Sequence, residues 1–337
     1  MTDGTFVGLQ PVADFPADVV SSQEAALALW PRIRDWTRAV APERIYLVGA
    51  GGSRMAMGPV KFLLDRHASA PALVLNSDEF NHRAPAGVGP GALVVVLSGA
   101  GSTRETVRAA EWAHSRGAAV AAVTLDGSSP LGRSVPDVFV ASSGHGSQLV
   151  LQLLGLAVLA AEGTDIAGHL AAFTALPAAL LHALRGYEDR TRAIAERLHG
   201  EPVVYVIASG SLEGAAETFT ACYLQEMQWR QAATLNANEF FQGPFEIFDR
   251  STAALVYVPE DATRPLADRA RSFLDEHGGT TLYVDSRDFE LPGIAAEQRP
   301  YVMALVFHGL AARLAAHWSA LSGYALEGRR YMWQFDY

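Results

Sequence analysis

Asn76-Ser77-Asp78-Glu79-Phe80-Asn81-His82-Arg83-Ala84-Pro85 is echoed later in the chain by Asn236-Ala237-Asn238-Glu239-Phe240-Phe241-Gln242-Gly243-Pro244. Each copy lies a few tens of residues after an apolar run that ends in small residues. The first run is Ile45-Tyr46-Leu47-Val48-Gly49-Ala50-Gly51-Gly52-Ser53, the second Val203-Val204-Tyr205-Val206-Ile207-Ala208-Ser209-Gly210-Ser211. Chance can repeat a short segment, but here order and spacing repeat together. The chain therefore reads as a tandem duplication, and a repeat constrains the architecture before any single element is assigned.

Working outward, apolar β-type runs alternate with helical stretches. Strands are expected at 45–48, 72–75, 93–97, 118–125 and 137–140, with helices at 54–68 and 104–117. A lead-in helix is expected at 22–39, and helices at 148–160 and 171–199 bridge the halves. The pattern restarts with a strand at 203–207, a long helix at 213–232, strands at 253–258 and 280–284, and helices at 264–277 and 300–321. Strand–helix alternation of this length implies βαβ units and parallel sheets, and unbroken apolar strands imply cover on both faces. The predicted fold class is α/β, with two doubly wound parallel-sheet domains related by approximate two-fold symmetry. The first spans 22–165, the second 195–337 with a C-terminal tail, and 166–194 is a helical connection.

The chain has 337 residues, half of them apolar and 18% charged, enough for two folded domains. Its net charge of −10 and lack of a basic cluster argue against nucleic acid as a partner. The longest apolar candidate, 149–161, is too short to span a bilayer, and the N-terminus lacks the pattern of a secretory signal. The expected setting is the cytoplasm, without a membrane partner. A lone cysteine, Cys222, excludes an internal disulfide framework and fits that setting. Lys61 is the single lysine, so lysine Schiff-base chemistry is confined to that position.

Two loops carry ligand-binding character. Gly51-Gly52-Ser53 follows the first strand. Ser98-Gly99-Ala100-Gly101-Ser102-Thr103 follows the third and opens a helix. Hydroxyls and unencumbered backbone N–H groups at the carboxyl ends of parallel strands suit an anion or a polyol. Tight turns that merely need glycine are the plainer reading of each loop alone. The Gly49-x-Gly51 turn lacks the rest of a dinucleotide fingerprint, and metal-ligand spacing is absent, so neither a cofactor nor a metal is expected. His145, in the Gly/Ser-rich stretch 143–147, reads as a loop residue able to reach a site.

With these residues in view, the chain resembles tandem sugar isomerase (SIS) domain proteins. The resemblance covers about residues 25–337 and lies nearest the fructosamine-6-phosphate deglycases and the isomerase domain of glucosamine-6-phosphate synthase. It rests on Gly51-Gly52-Ser53, Ser98-x-x-Gly-x-Thr103, Glu226-Met227-Gln228-Trp229, Glu239 through Glu246, and Arg330-Tyr331-Met332-Trp333. It implies SIS-type domains. It further implies that Glu226 moves a proton between C1 and C2 of an open-chain sugar, and that Gly51, Gly52, Ser53, Ser98, Gly99, Ala100, Ser102 and Thr103 bind substrate. A homodimer sharing its active site, with Gln242 reaching the partner, follows from the same resemblance.

Departures from the family pattern bear on chemistry. Where the family has His-Gly-Pro, this chain has Gln242-Gly243-Pro244, and glutamine hydrogen-bonds without exchanging a proton near neutrality. Ala100 and its neighbour replace a serine and a glutamine of the family's phosphate loop. The synthase's C-terminal lysine has no counterpart; Trp333 or Gln334 stands nearby. His82 occupies in the first repeat the place of Gln242 in the second, a candidate proton carrier or a structural loop histidine. Two expectations follow. One is an isomerase or deglycase of a sugar–amine adduct, with Glu226 as acid/base and Gln242 or His82 assisting. The other is a sugar-binding regulatory protein that has lost turnover.

Overall fold

The computed structural model describes residues 15–335. Two compact units are distinguished, one of Ala17–Ala179 with Pro292–Leu305, the other of Leu180–Leu291 with Val306–Tyr337.

The first unit is built on five parallel strands, β1 Arg44–Gly49, β2 Ala72–Asn76, β3 Ala92–Leu97, β4 Ala119–Thr124 and β5 Val138–Val140, in the order β2-β1-β3-β4-β5. Every residue of β3, Ala-Leu-Val-Val-Val-Leu, is buried, because helices cover both faces of the sheet. The second unit holds four parallel strands, β6 Val203–Ala208, β7 Gln231–Asn236, β8 Ala253–Val258 and β9 Thr280–Asp285, in the order β7-β6-β8-β9. The order second-first-third-fourth thus occurs in both sheets. β5 has no counterpart among the described residues of the second.

The repeated motif that suggests duplication has one physical job in both halves. Asn76 ends β2, and its side-chain oxygen accepts from the backbone N–H of Asp78 at 3.0 Å and of Glu79 at 3.4 Å, capping the helix Ser77–Arg83. Asn236 ends β7 and accepts from Asn238 N at 2.9 Å and Glu239 N at 3.3 Å. An Asn at the N-cap satisfies donors that the first turn leaves open. Four residues on, Phe80 and Phe240 are both fully buried. Phe80 packs edge-on against Tyr46 and Trp112; Phe240 joins Phe241, Phe245, Phe248 and Phe273. Each copy of the motif is a cap followed by an anchor.

Four local expectations are corrected. The lead-in helix is two helices, Phe15–Leu27 and Trp30–Val40. Pro31 sits in the first turn of the second, where its missing N–H costs nothing, and there it favours a new start over continuation. The expected helix 213–232 ends at Met227, and Gln231–Asn236 is a strand. That Ala-containing stretch reads as helical by propensity, but pairing with β6 at six positions overrides it. The bridging helix expected at 148–160 spans Gly144–Ala161, capped by Ser143 Oγ accepting from Gly146 N at 3.2 Å. It contains His145 in its first turn, so that residue is not in a loop, and burial pushes its imidazole down to about 4.

By length and composition Gly144–Ala161 and Ala167–His199 could each cross a bilayer, which corrects the expectation that no apolar stretch is long enough. Of their most apolar windows, 72% and 50% are buried inside the protein, as in core helices.

Candidate functional site

The two ligand-type loops of the first unit leave neighbouring strands at the same end. β1 pairs with β3 in a register that sets Gly49 against Leu97. Because β2 lies on the other side of β1, the strand order reverses here, and such switch points are where open α/β sheets leave a crevice. The backbone needs its glycines. A Cβ on Gly49 would lie 2.9 Å from Arg54 N, and one on Gly101, at φ +65°, would lie 2.0 Å from Ser129 Oγ. Gly51 also has positive φ, +53°.

The loop hydroxyls are not equivalent. Ser98 is buried; its Oγ lies 2.9 Å from Thr103 Oγ1 and accepts from Gly101 N at 3.1 Å. Ser98 and Thr103 therefore hold the loop's shape. Ala100 and Ser102 are exposed, Gly99 and Ser53 partly so. Lys61 sits in the following helix, ion-paired with Asp65 one turn on.

The matching crevice of the second unit is already filled. Asp261, 8% exposed, takes four hydrogen bonds on its carboxylate. Ser211 N donates at 3.0 Å and Ser211 Oγ at 2.7 Å to one oxygen; Thr263 N at 2.7 Å and Thr263 Oγ1 at 2.6 Å donate to the other. Two backbone N–H groups and two hydroxyls around one carboxylate is the array a bound anion would receive. Thr263-Arg264 opens its helix as Thr103-Arg104 does in the first unit, so the side chain of Asp261 closes a nest whose counterpart near Gly101 has no carboxylate.

Glu226 lies in a π-wound segment, Phe219–Met227, between β6 and β7. Just before and within it, Thr218 Oγ1 donates to Gly214 O at 2.9 Å and Thr220 Oγ1 to Ala216 O at 3.2 Å. Such back-bonding competes for helical carbonyls and loosens the winding. Wide turns of this kind recur at functional sites. Two residues past its end stands Trp229, a non-glycine residue at φ +52°. Gln228, buried, fixes this end: its Nε2 donates to Tyr324 O at 3.1 Å, and its Oε1 accepts from Ser322 Oγ at 2.6 Å.

Glu226 does not stand alone. Arg329, from the C-terminal segment, places Nη2 2.7 Å from Glu226 Oε1. The arginine side chain is 8% exposed and the glutamate 22%. Arg329 Nη1 donates to the carbonyls of Leu326 at 2.6 Å and Gly328 at 2.9 Å, which fixes the guanidinium. Around the pair opens a cleft of about 460 Å³, lined in part by Gln225, Trp229, Arg230, Arg330, Tyr331 and Met332. The Arg330 guanidinium lies over the Trp229 ring at 4.3 Å, and that of Arg329 faces Trp333 at 5.2 Å. Burial, and then the charge of Glu226, push the Cys222 thiol up to about 11, so it is no nucleophile near neutrality. The same two causes, with Cys222, also raise Tyr223.

The other sequence-derived candidates are placed as follows. His82 is exposed in the last turn of Ser77–Arg83, six residues after Asn76; Gln242 is exposed in the turn Glu239–Gln242, six after Asn236. Within its own unit, neither is hydrogen-bonded to the loops or to Glu226. Arg329, Trp229 and Arg330 escaped the sequence reading as site residues. Trp229 and Arg330 stand in the motifs 226–229 and 330–333 but carried no role there, and for Arg329 the available signal was the aromatic character of residues 323–337. Among the described residues no group of three or more His, Cys, Asp or Glu is arranged to hold a metal ion.

Residues 40–162 match the SIS domain. The chain is 29% identical over 304 residues to fructosamine deglycase FrlB of Bacillus subtilis (strain 168), covering 88% of this chain and 93% of that one. It is 25% identical over 266 residues to fructoselysine 6-phosphate deglycase of Escherichia coli (strain K12), covering 77% and 78%. Among solved structures, a candidate phosphosugar isomerase from Bacillus subtilis superposes with a TM-score of 0.84 at 28% identity, covering 96% of this chain and 99% of the other.

Proposed function

We infer the function of this chain from its place as a SIS-domain protein: it is an isomerase or deglycase, and we read its substrate as a sugar–amine adduct of the ketosamine type. The observation that carries this reading is Glu226, presented at the wall of a cleft and held there by Arg329. A ketosamine has a carbonyl at C2 and the amine on C1. The Glu226 carboxylate takes a proton from C1, the C–H electrons form the C1=C2 bond, and the C2 oxygen is protonated. Return of the proton to C2, with loss of the N–H proton to solvent in place of the one solvent gave to the C2 oxygen, makes the C1=N imine, and addition of water across that bond releases the aldose and the free amine. One ketosamine and one water thus yield one aldose and one amine. A single carboxylate suits this step because the donor and acceptor carbons are adjacent. Arg329 stabilises negative charge as the enol oxygen develops it.

Within the first unit, the crevice formed by Gly51–Ser53 and Ser98–Thr103 is read as a binding place for a sugar chain. With Ser98 and Thr103 occupied by each other, Ser102, Ser53 and backbone N–H groups are left to bind it, a set better matched to hydroxyls than to a dianion. Gln242 supplies no proton for ring opening, which favours a substrate that is acyclic or opens readily.

Glu226→Gln tests the assignment. It keeps shape and one hydrogen bond to Arg329 but removes the exchangeable charge. Turnover should fall by roughly two to four orders of magnitude while ligand still binds. A variant that turns over at the wild-type rate moves the chemistry elsewhere, and His82 is tested next. The exposed Gln242 favours a second reading, a regulatory protein that binds sugar without converting it. Wild-type protein that binds ketosamines but converts none would select that reading.

A further inference from the structure

The amine half of a ketosamine is bonded to C1, the atom from which Glu226 removes its proton. Wherever the sugar chain leads, the first atoms of the amine substituent therefore stay in the cleft beside Glu226. Its lining holds three guanidinium groups, Arg230, Arg329 and Arg330, against a single carboxylate, Glu226, and so carries an excess of two positive charges. Two of the cations are committed. Arg329 is paired with Glu226, and Arg230 Nη2 donates to the carbonyls of Glu201 at 2.6 Å and His199 at 3.2 Å. Arg330 differs. It is exposed, and its flat face lies on Trp229. Stacking uses the π-face of a guanidinium and leaves its N–H edge available to a planar anion.

The platform under Arg330 is rigid. Trp229 is held at φ +52° between the π-wound segment and β7, and its ring lies against Tyr324 with centroids 5.0 Å apart. The neighbouring Gln228 is tied down through Ser322 and Tyr324 O. A cation fixed in this way binds with less entropy lost than a free surface arginine would. Trp229, Tyr331 and Met332 add apolar surface to the same wall.

Resting on the reading of Glu226 as the proton carrier, we propose that Arg330 is the specificity-determining residue for the amine half and binds a carboxylate on it. The preferred substrates are then conjugates whose amine carries a carboxylate close to the nitrogen, with an apolar substituent against Trp229 and Tyr331. Amines bearing an extra free ammonium are disfavoured by the excess positive charge.

The test uses two ketosamines that differ only in charge, those of phenylalanine and of phenylalanine amide. Dissociation constants are measured by calorimetry on Glu226→Gln protein, where turnover is suppressed, with and without Arg330→Gln. The carboxylate conjugate should bind roughly tenfold more tightly or better, and Arg330→Gln should collapse that ratio toward one. Arg330→Lys, which keeps the charge but not the fork, should retain part of it. Equal binding of the two compounds overturns the proposal. So does a ratio that survives Arg330→Gln, or an equal loss for both compounds, which marks Arg330 as a mere prop for Trp229. Failure of the wild-type protein to turn over either conjugate counts against the proposed reaction, while the binding ratio still decides Arg330.

Discussion

Arg329 offers the sharpest test of how the site works. Its pair with Glu226 is a charge-assisted hydrogen bond of 2.7 Å, with the arginine side chain 8% exposed and the glutamate 22%. At that depth the pair is shielded from solvent far better than a surface ion pair worth about 0–1 kcal/mol. A hydrogen bond to a charged group contributes roughly 1.5–3 kcal/mol. If that energy holds the carboxylate where it meets the C1 proton, Arg329→Ala costs kcat about 10- to 150-fold at 1.36 kcal/mol per decade. KM should change much less, because the loss falls on the reacting geometry. Guanidinium added to the medium should restore part of the rate in Arg329→Ala, and Arg329→Lys should lie between the two. The assay is steady-state release of amine from a ketosamine, with the far-ultraviolet circular dichroism of each variant as a control for folding. An unchanged kcat in a folded Arg329→Ala protein refutes the argument, and so does a rise in KM alone.

The remaining predictions concern substrate, stability and assembly. On a matched pair of ketosamines with and without a 6-phosphate, we expect preference for the unphosphorylated member, since Ser98 and Thr103 are bonded to each other; a strong preference for the phosphate would show that backbone groups suffice. Burial raises the Glu188 carboxyl, but hydrogen bonds from His317 and Arg313 and the arginine's charge outweigh it and leave it at about 2, against 4.5 unperturbed. A depressed carboxyl stabilises the fold above its unfolded value. Discounted for solvent screening of a partly exposed carboxylate, about 1–2 kcal/mol should therefore be lost as pH falls from 4.5 toward 2, and Glu188→Gln should flatten the drop in Tm between pH 5 and pH 3. An identical drop in that variant removes Glu188 as its source. The tail exposes Trp333 and Phe335 at 72% and 59%, a surface suited to burial against a second copy, so light scattering should give about twice 36.0 kDa. A fully active monomer would contradict this.

Much of the fold was legible because it is written in local terms. Runs such as Ala92–Leu97 must be buried strands whatever surrounds them, and Gly49 and Gly101 mark turns that leave no space for a side chain. The repeated Asn and Phe specify a cap and an anchor within five residues, so duplication could be read without coordinates. β7 was missed because its residues are indifferent between helix and strand, and only pairing with β6 decides. The same holds more strongly at the site. Composition marks Ser98, Thr103, Ser211 and Thr263 as hydroxyl-bearing loop residues. It does not tell which hydroxyls face a ligand, which face each other and which grip Asp261. Glu226 could be singled out from its surrounding motif, but its cation comes from the far end of the chain. An ion pair between residues 226 and 329 depends on where the tail is carried by the helix Arg299–Ser322. Sequence patterning reports periodicity and turn chemistry over a few residues. Contacts between distant segments are set by packing, and at this site packing decided the partner of Glu226.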